Sequence, residues 1–277
     1  MATTDFFIPR SVDEALGLLR DHGPDLTVMG GGTIVMGLVN DGRLFPRKAM
    51  SLCRAAMDEL HATDGQIQIG AAATIAQLSR QEELPILAQA AAMLGGPAVR
   101  TLATIGGNMF APPPYGDIAV PLLALDALVE LAGPRGRRSL PLDRFFTGLG
   151  QTMCAAGELL VGFGVPRPAG QSAYLRFGRR QANTPAVVAV AARVVTDADG
   201  SVSEARIALG AAGPHPLRAH AAEAALVGRP LDATSIASAA EAAMAASDPP
   251  TDALASGWYR RKMVGVFVRR ALERVKG

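Results

Sequence analysis

Two short glycine stretches about seventy residues apart, Gly30-Gly31-Gly32-Thr33 and Thr104-Ile105-Gly106-Gly107-Asn108, constrain this chain more than any other feature. Each adjoins an apolar segment and ends in small hydrogen-bonding residues. Glycine has no Cβ, so it lets backbone N–H groups turn toward a ligand at close range. A loop of such donors, backed by the start of a helix, suits a phosphate. Two such loops suit the two phosphates of one dinucleotide, although each alone reads equally well as a tight turn.

The common phosphate fingerprints are absent. A G-x-G-x-x-G loop would need glycine where Val35 stands, and no Gly-Lys-Ser/Thr string completes a Walker loop. Composition narrows the classes further. At 277 residues and net charge +2, with Lys and Arg scattered, the chain carries no nucleic-acid footprint. The richest basic patch, Arg260-Arg261-Lys262 with Arg269-Arg270, has helical spacing and reads as a solvated or interface face. No segment reaches the ~18 apolar residues of a membrane span, and the N-terminus lacks a signal-peptide pattern; the expected location is cytoplasmic. Cys53 and Cys154 cannot ligate an iron–sulfur cluster within this chain and are expected as buried or semi-buried free thiols. The four histidines show no metal-ligand spacing, so no metal is expected. No nucleophile, triad or pair of acids stands out, and no catalytic residue is assigned.

Along the chain, residues 6–8 read as a strand. Ser11 caps a helix with Glu14 reaching back to it, and Val12, Ala15, Leu16 and Leu19 form one face. Residues 26–29 form a buried strand delivering the first glycine loop, after which Thr33 caps a short helix to about Asn40. This first subdomain ends near residue 54. A second begins with the alternating strand 66–69. Thr74 caps a helix through Leu78, and residues 85–94 form another, stopped by Gly95-Gly96-Pro97. The second glycine loop follows, then a helix after Asp117, a strand over 128–131, a hairpin turn at Gly133-Pro134-Arg135-Gly136 and a strand over 158–165. Beyond the Pro166-Arg167-Pro168 linker, strands at 186–195 and 205–209 flank the turn Asp197-Ala198-Asp199-Gly200. Helices follow near 219–226, 236–246 and 258–275. The fold class is α+β: two subdomains (1–54 and 55–168), then a C-terminal domain (169–277) with an antiparallel sheet and helices.

The second stretch runs on as Thr104-Ile105-Gly106-Gly107-Asn108-Met109-Phe110-Ala111-Pro112-Pro113-Pro114-Tyr115-Gly116-Asp117 before an apolar segment. This string, with the earlier glycine loop, resembles the FAD-binding medium subunit of the molybdenum hydroxylases, the group of carbon monoxide dehydrogenase and xanthine dehydrogenase. Weaker matches continue at Glu158-Leu159-Leu160, Tyr174-Leu175-Arg176-Phe177-Gly178-Arg179-Arg180 and Tyr259-Arg260-Arg261. The resemblance implies a flavin-binding fold of the vanillyl-alcohol-oxidase type.

What it implies for residues is specific. Gly30, Gly31, Gly32, Thr33 and Ile34 would grip the FAD pyrophosphate, with Ile34 standing where relatives often carry Asp. Thr104, Gly106, Gly107 and Asn108 would wrap the other phosphate and approach the flavin. Asp117 would reach the ribose or adenine side, or else cap the following helix. Leu160 would pack on the flavin edge or in the core. Arg176 stands where many relatives have Lys near the flavin or its phosphates and would stabilise reduced flavin, or else be a surface strand residue. Tyr115 and Tyr174 are candidate stacking aromatics. The implied function is electron transfer within a heterotrimer, most simply a dimer of heterotrimers. A large partner would carry the molybdenum cofactor, and a small one two 2Fe-2S clusters; FAD would pass electrons to an external acceptor. The alternatives are a stand-alone FAD oxidase or reductase with the same fold, and a scaffold subunit that has lost its flavin.

Overall fold

The computed structural model describes residues 5–63, 65–112, 116–180 and 184–277. The first unit comprises β1 (Asp5–Phe7), α1 (Val12–His22), β2 (Leu26–Met29), α2 (Val35–Asn40) and β3 (Lys48–Ser51). Its strands form a parallel sheet in the order β1-β3-β2. Ser11 caps α1, its Oγ accepting the Glu14 N–H at 3.1 Å. The Glu14 carboxylate, however, accepts from the Arg10 N–H at 2.7 Å and not from Ser11. Ala15 is fully buried, with Leu16 and Leu19 packed beside it.

A second unit holds β4 (Leu60–Thr63), β5 (Gln66–Gly70), α3 (Ile75–Leu78), α4 (Pro85–Met93), α5 (Pro97–Leu102), α6 (Ile105–Met109) and α7 (Ala119–Ala124). The hairpin β6 (Leu128–Gly133) and β7 (Gly136–Pro141), the small β8 (Phe146–Gly148) and β9 (Gln151–Thr152), and β10 (Leu159–Pro166) complete it. The main sheet has the order β4-β5-β10-β6-β7 and is antiparallel. Thr74 caps α3 in a capping box with Gln77. α4 ends at Met93, ahead of Gly95-Gly96-Pro97, and Pro97 also opens α5: proline fits the first turn, where its missing N–H needs no partner.

The third unit comprises β11 (Gln171–Gly178), β12 (Ala186–Thr196), β13 (Val202–Gly210), β14 (Leu217–Arg218), α8 (His220–Ala224), α9 (Ala233–Ala246) and α10 (Gly257–Lys276). Its antiparallel sheet runs in that strand order. β12 is buried on both faces, which explains its apolar run over residues 186–192. Ala189 and Ala191 join the core shared with α4 and α7, whereas Val188, Val190 and Val194 join that of α8, α9 and α10. The basic patch of α10 is only partly a surface. Arg260 is fully buried, donating to the Ala186 and Val187 carbonyls and to both oxygens of Asp252.

Candidate functional site

β2 ends at Met29 and passes the chain directly into the first glycine loop; the second opens α6 behind Leu102. The two loops meet at backbone distance. A Cβ at Gly30 would strike Thr104 Oγ1, and one at Gly31 would strike the Leu102 carbonyl. At Gly106 it would lie 2.8 Å from the Ala71 carbonyl oxygen. Only glycine permits these approaches. Gly32 adds φ +70°, a conformation that side chains disfavour.

Together the loops wall a cavity of about 760 Å³, within the roughly 300–1,000 Å³ typical of cofactor sites. All twelve binding residues named from the sequence line it, drawn from both glycine loops, Asp117, β10 and β11. It also takes in Thr184, Pro185 and the segment Cys154–Gly157 before β10, which the sequence did not single out. The one local signal there is Gly157, whose φ of +81° turns the chain.

The loops offer different chemistry. No backbone bond to another described residue takes up the N–H groups of Gly31, Gly32, Thr33 or Ile34, so the first loop presents a run of donors. Thr33 does not cap α2. Ile34 holds the N-cap position without a side-chain bond, leaving the Thr33 hydroxyl beside the cavity. The donors of the second loop are already taken up by other protein groups. Gly106 N–H donates to the Ala71 carbonyl at 2.8 Å, Gly107 N–H to Thr104 Oγ1 at 3.1 Å, and Asn108 N–H to the Thr104 carbonyl at 3.0 Å. What this loop gives the cavity is a bare glycine surface, the Thr104 hydroxyl and the Asn108 amide, whose Oδ1 accepts from the Ile118 N–H at 3.1 Å.

Among the described residues, Asp117, Glu158 and Arg176 are the charged ones in the lining. Asp117 does not cap α7; its Oδ2 accepts from Arg176 Nε at 2.6 Å. Both side chains are buried, so Arg176 is no surface strand residue. Burial pushes the Asp117 carboxyl above its ordinary value, and the Arg176 charge pulls the other way. Arg176 Nη2 donates to the Thr184 carbonyl; Nη1 takes part in neither bond. Glu158 accepts from Arg138 Nε and Nη2 at 2.8 and 2.7 Å, and from the Ala155 N–H at 2.9 Å. The Arg138 hydrogen bonds hold its carboxyl down at about 2. Leu160 is buried and meets the cavity.

Tyr174 is not a stacking candidate. It is wholly buried in the core and absent from the lining, and burial pushes its hydroxyl well above the usual value. Tyr115, with Pro113 and Pro114, lies outside the described residues. Cys154 lines the cavity with its thiol pushed up to about 11 by burial, whereas Cys53 is exposed and not semi-buried as expected.

These residues fit a dinucleotide: one loop whose N–H donors have no partner among the described residues, one glycine surface for close approach, apolar walls, and a buried guanidinium whose Nη1 takes part in no bond to a described residue. Residues 2–168 match the family model described as the FAD binding domain in molybdopterin dehydrogenase. The chain belongs to this family of FAD-binding subunits. Residues 173–275 match the CO dehydrogenase flavoprotein C-terminal domain. The 6-hydroxypseudooxynicotine dehydrogenase complex subunit alpha of Paenarthrobacter nicotinovorans is 32% identical over 275 residues, spanning 97% of this chain and 93% of that one. The carbon monoxide dehydrogenase medium chain of Hydrogenophaga pseudoflava is 30% identical, spanning 97% and 95%. Among solved structures, a reconstituted CO dehydrogenase from Oligotropha carboxidovorans superposes with TM-score 0.94 at 29% identity, covering 98% of this chain and 97% of that chain. The chain is thus an FAD-binding oxidoreductase subunit of the molybdenum hydroxylase type.

Proposed function

We propose that this chain is the electron-transfer subunit of a heterotrimeric molybdenum hydroxylase, receiving electrons from 2Fe-2S clusters on a small partner and delivering them to an external acceptor. The molybdenum cofactor would reside on a large partner, the complex would be a dimer of heterotrimers, and it would work in the cytoplasm. The observation that carries the reading is the cavity itself, built for a cofactor and poor in groups that could act on a substrate. Its charged residues are already paired within the chain, Asp117 with Arg176 and Glu158 with Arg138. Bound FAD supplies the redox chemistry, and the protein supplies binding and electronics.

In this reading the cofactor spans the chain division at residue 168. Gly31, Gly32, Thr33 and Ile34 donate N–H groups to the diphosphate, and Gly30 keeps that loop against Thr104. Gly106 and Gly107 let the cofactor lie close to the backbone, while Thr104 and Asn108 contribute side-chain hydrogen bonds. Asp117 faces the sugar side and holds Arg176 in place. Arg176 would add a positive charge to the site that favours reduced flavin, and Leu160 would supply apolar cover for the cofactor.

The test is anaerobic. The isolated subunit, loaded with FAD, is mixed with the substrate of the complex, and then again after reconstitution with its two partners. Flavin absorbance is expected to bleach only in the reconstituted complex. Bleaching at a catalytic rate by the lone subunit would favour a stand-alone flavoenzyme.

A further inference from the structure

α7 is held at both ends by arginines of the C-terminal sheet. At its start, Arg176 of β11 grips Asp117, and Asn108 binds the Ile118 N–H. At its end stands Asp126, a non-glycine residue at φ +53° that lies outside the cavity. Three arginines converge on its carboxylate. Arg193 Nη2 donates at 3.0 Å, Arg206 Nε at 2.7 Å and Arg218 Nη1 at 2.8 Å. Two of them also reach the last carbonyls of the helix: Arg193 Nε donates to Ala124 at 3.0 Å and Arg218 Nη1 to Leu123 at 3.4 Å. Glu204 and Glu223 balance the remaining charge, and the Arg193 and Arg218 side chains are more than nine-tenths buried.

We propose that Asp126 is a positioning residue for the FAD site, acting through α7. The helix is short and wholly buried, and packed cores pass on displacement because they have no slack. Against β13 it has none: a Cβ on Gly210 would lie 2.6 Å from Val120 Cγ2. The placement of Asp117 and Asn108 on the cavity wall is therefore set jointly by Arg176 at one end and by the arginine cluster at the other. A positive φ at Asp126 is a conformation disfavoured for a side-chain residue, and its carboxylate is what the three guanidiniums hold. Removing that charge leaves two largely buried arginines short of a partner and frees the end of α7.

The inference rests on FAD occupying the cavity, and one experiment separates the two. FAD affinity of the full-length chain is measured by quenching of flavin fluorescence, with the visible circular dichroism of the bound flavin as a second readout. Three variants are compared: Asp126→Asn; Arg206→Lys, which keeps the charge but loses the planar fork; and Val268→Ala, which opens the core on the far side of β12 from α7. Asp126→Asn is expected to weaken FAD roughly tenfold and to change the dichroism, with Arg206→Lys smaller in the same direction. Val268→Ala is expected to lower thermal stability without moving affinity or spectrum. Wild-type affinity and dichroism in Asp126→Asn would overturn the proposal, as would equal weakening by Val268→Ala. Should Asp126→Asn fail to fold, Arg206→Lys against Val268→Ala decides. Wild-type protein that binds no FAD would overturn the cofactor assignment instead.

Discussion

Gly31 and Gly107 sit in similar short motifs but meet different surroundings. A Cβ at Gly31 runs into the Leu102 backbone, which cannot swing aside; one at Gly107 meets Thr104 Oγ1 at 3.0 Å and nothing else within 4 Å. Gly31→Ala is therefore expected to separate the loops and lose FAD. Gly107→Ala should keep the loops together, costing about 1 kcal/mol through the strained Thr104 cap, and should weaken FAD without emptying the site, since Gly107 lines the cavity. FAD content per folded chain after gel filtration distinguishes them, and a full complement in Gly31→Ala would contradict the loop geometry. The glycines themselves were legible, because their motifs are contiguous. Which of them is sterically pinned was not, since Leu102 and Ala71 enter from other segments. The same holds for Asp117 and Arg176, 59 residues apart. Adjacency to an apolar segment made Asp117 look like a cap, and nothing local announces the ion pair. Tyr174 misled in the opposite way: an aromatic near a site motif looks the same whether it faces a cofactor or, as here, a core.

Elements were readable where they carried a cap or a period. α1, α3, β2, β10 and the β12–β13 hairpin follow from Ser11, Thr74 and their apolar patterns. β3 and β4 were missed because four residues that include Lys48 or His61 give too little alternation to register. α5 and α6, six and five residues long, are too short for a helical period, and α6 contains two glycines. The segment before β10 was missed as a cavity wall because side-chain bonds fix it: Glu158 ties Arg138 on β7 to the Ala155 N–H. That tie makes a pH prediction. The Glu158 carboxyl is lowered on folding from 4.5 to about 2, so its stabilisation is present above pH 4.5 and lost as pH falls toward 2. Urea unfolding of the wild type against Glu158→Gln should show an advantage near neutrality that fades across that window. An advantage that persists undiminished in acid would show that the charge on Glu158 is not what braces the segment.

At the scale of the molecule, the α+β class and the order of units were accessible because strand and helix patterns change character past Pro166. The closeness of the units was not. One core runs from β5 and α4 through α7 into Tyr174, Ala189 and Ala208 of the C-terminal sheet, so that sheet is a structural part of the cofactor site and not an appendage. Arginines at 176, 193, 206 and 218 look like ordinary strand cations in sequence; their convergence on α7 arises only when β11, β12, β13 and β14 are laid side by side. Family membership then accounts for a chain with a large cofactor cavity and no assigned catalytic residue. The function proposed for this chain requires FAD to be held in that cavity by noncovalent contacts. Neither cysteine suits a tether, since Cys154 is held protonated by burial and Cys53 is absent from the cavity lining. The most direct test is acid precipitation of the purified, yellow protein followed by identification of the released flavin. FAD is expected in the supernatant, one per chain, over a colourless pellet; FMN in the supernatant, or a pellet that stays yellow, would overturn the assignment.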